Sequence, residues 1–271
     1  MQKILRCLTI AGLDASGGAG LIADISTFHE FGCYGQGILT TIVTMKPENW
    51  QHQVEAVSPE SLDKQVATVL ASEQEIAALK TGMLGTPATV ELARDCIERS
   101  GTRHVVIDPV LVCKGTDEVL NPDTEIALRT RLLPLAEVIT PNLFEAGRMA
   151  ELKTPSCREE VEACARGIIE RGARNVVIKG GRSLSDSEAL DLFYDGQEMH
   201  WLSGEKIDHA ATHGAGCSFA AAVTAALANG QSPLEAVKTA KAYVAAAIKH
   251  GFAYNQFVSP VFRPGYRQEQ A

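Results

Sequence analysis

The run Leu5-Arg6-Cys7-Leu8-Thr9-Ile10-Ala11 passes straight into Gly12-Leu13-Asp14-Ala15-Ser16-Gly17-Gly18-Ala19-Gly20, and a helical pattern follows over 19–31. An apolar run without helical spacing reads as a strand, and the glycines that follow it as a turn. The same order recurs downstream. Short β-branched runs at 38–44, 77–81, 104–108, 138–140, 175–179 and 191–194 predict strands. Between and after them, helices are predicted near 59–72, 87–100, 142–151 and 157–171, in the alanine-rich stretch 218–229, and from Ser232-Pro233 to about His250-Gly251. Thr86-Pro87 places proline at a first helical position, and Ser156 with Glu159 predicts a capping box. A hairpin is expected from 191–194 and 197–202, turning at Asp195-Gly196. Alternation of this kind predicts an α/β fold: a mostly parallel central sheet with helices on both faces. No repeat or Pro/Ser-rich linker divides the chain, so one domain over 1–271 is expected, with 261–271 as a loose tail.

The 271 residues are 45% hydrophobic and 21% charged, enough for a sizeable core. A net charge of −8 argues against nucleic acid as a partner. The seven cysteines, Cys7, Cys33, Cys96, Cys113, Cys157, Cys164 and Cys217, form no CxxC pair, so neither a zinc site nor a dithiol is indicated. No apolar stretch reaches the length of a membrane span or signal peptide, and a cytoplasmic protein with reduced thiols is expected.

Ligands of open α/β sheets sit outside the carboxyl ends of the strands, and the chemically interesting residues fall at such ends. Gly18-Ala19-Gly20-Leu21-Ile22-Ala23 loosely fits a dinucleotide pattern, but it starts too far past its strand and lacks the acidic residue a second strand should end on. What remains is a glycine loop in which Asp14 either accepts hydrogen bonds from a small polar ligand or caps a turn. Asp108, before Pro109 and Val110, reads as a Mg²⁺ carboxylate or as a turn cap. Cys113, beside Lys114-Gly115, reads as an activated thiol or as a small buried hydrophobe. Asn142 and Glu145 form a capping box whose Glu also suits metal-bound water. Lys179-Gly180-Gly181 reads as a phosphate-touching lysine or as a glycine turn. His52, near Trp50 in the polar loop 46–53, and Met83, after Thr81-Gly82, are weaker candidates. His213-Gly214-Ala215-Gly216-Cys217 is the sharpest motif. Two glycines ahead of a helix make an anion cradle, and that helix start should stabilise a Cys217 thiolate.

Together these motifs resemble, in order and over almost the whole chain, the ribokinase-like vitamin kinases. The branch is that of the hydroxymethylpyrimidine (phosphate) kinases and the related pyridoxal kinases. The resemblance implies a ribokinase-like sheet, a lid over the substrate site, and a homodimer. It also implies ATP and Mg²⁺, with a monovalent cation as a possible addition. Asp108 and Glu145 would lie near the metal. Lys179, Asn142, Gly214, Ala215 and Gly216 would hold ATP phosphates, and Cys217 would take the base position that Asp holds in sugar-kinase relatives. Gly12, Asp14, His52, Met83 and Val110 would line the vitamin pocket. Thr44-Met45-Lys46-Pro47-Glu48 departs from the stretch typical of the pyrimidine kinases, and the lid cysteine Cys113 looks like that of two-cysteine pyridoxal kinases. In that branch the lid thiol adds reversibly to the aldehyde of pyridoxal. The implied activity is ATP-dependent phosphorylation of the 5′-hydroxymethyl group of pyridoxal, extending to pyridoxine and pyridoxamine. The alternatives are a hydroxymethylpyrimidine kinase and a non-catalytic vitamin carrier.

Overall fold

A strand covered on both faces must be apolar at odd and even positions alike, and β1 (Arg6–Asp14) meets that condition. In the computed structural model, which describes residues 4–111, 122–208 and 211–270, β1 is a central strand. Around it stand β2 (Tyr34–Met45), β3 (His52–Ala56), β4 (Ile76–Thr81), β5 (Val105–Ile107), β6 (Val138–Ile139), β7 (Asn175–Gly181), β8 (Glu188–Tyr194) and β9 (Met199–Glu205). The sheet runs β3-β2-β1-β4-β5-β6-β7-β8-β9. Strands β2 to β7 in that order are parallel neighbours, and β3, β8 and β9 pair antiparallel at the two edges.

Side chains alternate across the sheet with the period of two that a strand imposes. Leu8, Ile10, Leu79, Ile107, Ile139, Val176 and Ile178 join one core, beneath α2 (Pro59–Leu70), α3 (Pro87–Ser100), α5 (Leu143–Ala150) and α6 (Arg158–Glu170). Cys7, Ala78, Val106, Val138, Val177 and Phe193 point the other way, toward α1 (Gly20–Glu30), α7 (Ala215–Ala228) and α8 (Pro233–Lys249). Helix α7 is buried along nearly its whole length, and its alanines let the sheet, α1 and α8 approach on all sides.

The helix starts follow local chemistry. Ser58 and Thr86 accept from the third residue of α2 and α3, each with proline at the first turn, and Gly101 ends α3 in the left-handed region at φ 64°. The hairpin turns at Asp195-Gly196 as expected, where the Asp195 carboxylate accepts from the N–H groups of Gln197 and Glu198.

Three expectations need correction, and one helical segment had no expectation. His52 does not sit in a loop: it opens β3 and pairs with Met45. Ser156 and Glu159 form no capping box, because the N-cap of α6 is one residue later, at Cys157. Ser156 instead donates its N–H and hydroxyl to Glu160. A helical segment from α4 (Pro122–Ala127) to Leu135 was not anticipated. Finally, the segment from Val261 is no loose tail. Val261 is buried, α9 (Gly265–Gln270) follows, and Tyr266 lies 5.3 Å from the ring of Tyr243 in an edge contact.

Candidate active site

The parallel strands all deliver their last residues to one edge, which becomes the floor of the site. Asp14 ends β1, Lys80 and Thr81 end β4, Asp108 follows β5, Asn142 follows β6, and Lys179 lies near the end of β7. Against that edge stand two glycine turns. Gly214 is the N-cap of α7 in the left-handed region at φ 80°, where only glycine is at ease. A side chain at Gly214 would collide with the Gly18 carbonyl, and one at Gly18 would strike the His213 ring. The turn after β1 and the cradle before α7 are therefore nested, which explains why both are glycine-rich.

The nested turns are pinned from two directions. Asp14 accepts from Ser16 N–H at 2.8 Å, Ala19 N–H at 3.1 Å and pairs with His213 Nε2 at 2.6 Å. Burial works to raise its pKa, but the hydrogen bonds from His213 and Ser16 outweigh that and hold it below the usual carboxylate range. From the far side Arg263 donates to the Gly17 and Gly18 carbonyls, while His213 N–H donates to the Ser259 carbonyl and Val261 N–H to the His213 carbonyl. Asp14 is thus largely satisfied by protein.

Asp108 is 3% exposed and stands between two lysines. Its Oδ1 lies 3.4 Å from Lys179 Nζ and 3.3 Å from the Thr140 hydroxyl, and its Oδ2 lies 4.0 Å from Lys80 Nζ. Glu145 and Asn142 make both halves of the capping box: Asn142 Oδ1 accepts from Glu145 N–H, and Glu145 Oε2 accepts from Asn142 N–H. Burial pushes Glu145 up to about 7, against Lys179, which lowers it, and with Asp108, which raises it. Two adjacent carboxylates, one of them poorly solvated, fit Mg²⁺, which takes few protein ligands and keeps waters and substrate phosphates. Lys179 stays charged: burial acts to lower its pKa, but Asp108 and Glu145 raise it overall.

Two cavities meet here. The smaller, about 280 Å³, is walled by Gly12, Asp14, His52, Met83, Val110, Lys80, Asp108, Glu145, Gly214 and Cys217 among others. The larger, about 780 Å³, has mostly apolar walls that include Trp201, Leu202, Val244 and Ile248, with Ala215 at the cradle. Lys179, Asn142 and Gly216 belong to both. A Cβ on Gly216 would stand 3.5 Å from Lys179 Nζ, so the cradle and the ammonium are adjacent.

Most candidates from the sequence therefore share one crevice, and Cys113 lies outside the described residues. Cys217 departs from expectation in its chemistry. The helix start was expected to favour its thiolate, yet its pKa is raised to about 11. Burial raises it first, and Asp24 and Asp108 add to that, outweighing Lys80 and a hydrogen bond from the Gly20 backbone. Three residues escaped the sequence reading as site components: Lys80, Asp24 and Arg263. Only Lys80 left a trace, as the charged residue in the otherwise uncharged strand Ile-Ala-Ala-Leu-Lys-Thr.

Sheet order, cradle and paired cavities define a ribokinase-like protein. The chain belongs to the phosphomethylpyrimidine kinase family, which it matches over residues 14–262. It is 46% identical to the pyridoxine kinase of Bacillus subtilis (strain 168), covering 98% of each chain. It is 42% identical to the hydroxymethylpyrimidine/phosphomethylpyrimidine kinase of Rhizobium meliloti (strain 1021), covering 89% of each. Among solved structures it resembles the pyridoxal kinase from Staphylococcus aureus in complex with ADP, at a TM-score of 0.94 and 46% identity, covering 98% of this chain and 96% of that one. The complex of the same kinase with pyridoxal matches at a TM-score of 0.93 and 45% identity, with the same coverage.

Proposed function

We propose that this protein transfers the terminal phosphoryl group of ATP to the 5′-hydroxymethyl group of pyridoxal, and to that of pyridoxine and pyridoxamine. The observation that carries this reading is the shared wall of Lys179, Asn142 and Gly216 between a large, mainly apolar cavity and a smaller one into which the charged residues Asp14, Lys80, Asp108 and Glu145 face. A nucleoside fits the first and a one-ring vitamin the second, so the phosphoryl group crosses at the wall.

Phosphoryl transfer asks for position and charge neutralisation more than covalent chemistry. The N–H groups at Gly214, Gly216 and Cys217 lie at the start of α7 beside the crossing group and stabilise its oxygens without reorganising, while the Ala215 N–H donates to the Thr212 carbonyl. Lys179 adds a fixed positive charge beside Gly216. Asp108 and Glu145 would hold Mg²⁺, which supplies charge neutralisation at the ATP phosphates when bound. Cys217 accepts the hydroxyl proton as the new P–O bond forms. With a pKa near 11 its thiolate is scarce at neutral pH, and a loose transition state calls on its base only late in the transfer. Gly12, His52, Met83 and Val110 wall the vitamin, and Asp14 holds the loop around it. Cys113 adds its thiol to the pyridoxal aldehyde, the proton passing to the carbonyl oxygen, and so marks pyridoxal among the vitamers.

The homodimer belongs to the same proposal. β3 is an edge strand with Val54 48% exposed. Beside it, Trp50 stacks on Phe257 at 6.2 Å, and Phe257 and Tyr254 remain exposed, leaving apolar surface for a second copy. No helix among the described residues is long and apolar enough to cross a membrane. Mass spectrometry of pyridoxal incubated with the protein, ATP and Mg²⁺ tests the activity. One phosphoryl group gained by the vitamin is expected, and its absence with ATP intact contradicts the reading.

A further inference from the structure

Lys80 sits in the buried strand β4 with a side chain 1% exposed, yet it lines the small cavity. Its Nζ lies 2.9 Å from Asp24 Oδ2 on α1 and 4.0 Å from Asp108 Oδ2. Asp24 is fully buried; its Oδ2 also accepts from the Thr9 hydroxyl at 2.6 Å, and its Oδ1 has no hydrogen-bond partner among the described residues. Such a pair is a poor stability device. Desolvating two charges offsets most of their attraction, and one carboxylate oxygen here is left unsatisfied. Apolar side chains would fill the space at less cost, so stability alone does not account for it.

The placement suggests another use. Asp108 is addressed by one lysine on each oxygen: Lys179 from the nucleotide side and Lys80 from below. Lys80 and Cys217 also line the same small cavity. We infer that Lys80 is a positioning residue for phosphoryl transfer: anchored from behind by Asp24, its ammonium fixes the Asp108 carboxylate and sets a permanent positive charge beneath the cradle at Cys217. Asp24 keeps the ammonium in place and balances it, so that the floor of the site carries charge without a free counter-ion. Neither residue needs to touch substrate. The inference rests on the kinase reading above.

The test compares Lys80→Met, the doubly neutral Lys80→Met/Asp24→Asn and Lys80→Ala with the wild-type chain, using ATP, Mg²⁺ and pyridoxal. The double variant leaves no unpaired buried charge, so it should melt close to wild type even if Lys80→Met does not. Its kcat should fall about 100-fold, the loss typical of removing one preorganised charge, with KM for pyridoxal unchanged. Ethylammonium, which can enter the space vacated in Lys80→Ala, should restore turnover in a saturable way. A folded double variant with near wild-type kcat overturns the inference, as does a Lys80→Ala enzyme that ethylammonium does not revive. If the double variant also fails to fold, the pair is structural and the inference falls. A wild-type chain that turns over no pyridoxal contradicts the kinase reading instead.

Discussion

Asp14 and His213 stand 199 positions apart in the chain and meet at 2.6 Å, tying the glycine turn of the small cavity to the cradle of α7. Because the two turns are nested, the bond holds the small cavity and the glycine cradle at a fixed spacing. Asp14→Asn should cost about 2 kcal/mol of stability at neutral pH, the value of a buried hydrogen bond to a charged group. The sign follows from its depressed folded-state pKa. The contribution is present above the ordinary carboxylate range near ~3.9 and is lost as pH falls through the lower folded-state value. Melting curves of both proteins should therefore lie apart at neutral pH and converge in strong acid; a constant gap would contradict the assignment.

Lys179 faces both cavities and Asp108, so Lys179→Ala should lower kcat by about 100-fold. Part of the damage should appear as weaker ATP binding, measured by titration of the nucleotide with Mg²⁺. Pyridoxal binding should be spared, because the small cavity keeps its other walls. Equal loss of both affinities would point to a collapsed site.

The raised pKa of Cys217 makes a directional forecast for pH. Thiolate grows with pH up to about 11, so kcat should climb above pH 8, where Glu145 is already ionised. Cys217→Ala should remove that rise along with most activity. Cys217→Asp should retain activity and flatten the profile, since its carboxylate is ionised throughout. Identical profiles for the wild-type and Asp enzymes would exclude the thiol as proton acceptor.

The role proposed for Cys113 is recognition of the aldehyde. Cys113→Ala should abolish a spectral signature of bound pyridoxal while leaving pyridoxine turnover near wild type, since pyridoxine has no aldehyde to trap. An unchanged spectrum would assign the adduct to another nucleophile.

The sheet was legible because buried parallel strands carry continuous apolar runs, and β1, β4, β5 and β7 do. Strand β3 was not, since His-Gln-Val-Glu-Ala is an exposed edge whose pairing with β2 is set by the partner strand. The last helix was missed for a similar reason: its residues are mostly polar, and Tyr266 acquires its place only through Phe31 and Tyr243, far away in the chain. Residue types at the strand ends marked out the crevice, whereas the bonds within it depended on tertiary contacts. Asp14 read as a ligand acceptor or as a turn cap; it caps the turn, and its partner His213 was not visible because it lies near the other end of the sequence. Cys217 read as an activated thiol because a helix start is visible in sequence, while the burial that outweighs it is not.

The most direct measurement is the ratio of kcat/KM for pyridoxal to that for hydroxymethylpyrimidine, taken on one preparation with saturating ATP and Mg²⁺. The account predicts a ratio well above one, with pyridoxal converted to its 5′-phosphate. Efficient turnover of the pyrimidine with none of pyridoxal would contradict it and make the chain a pyrimidine kinase on the same fold.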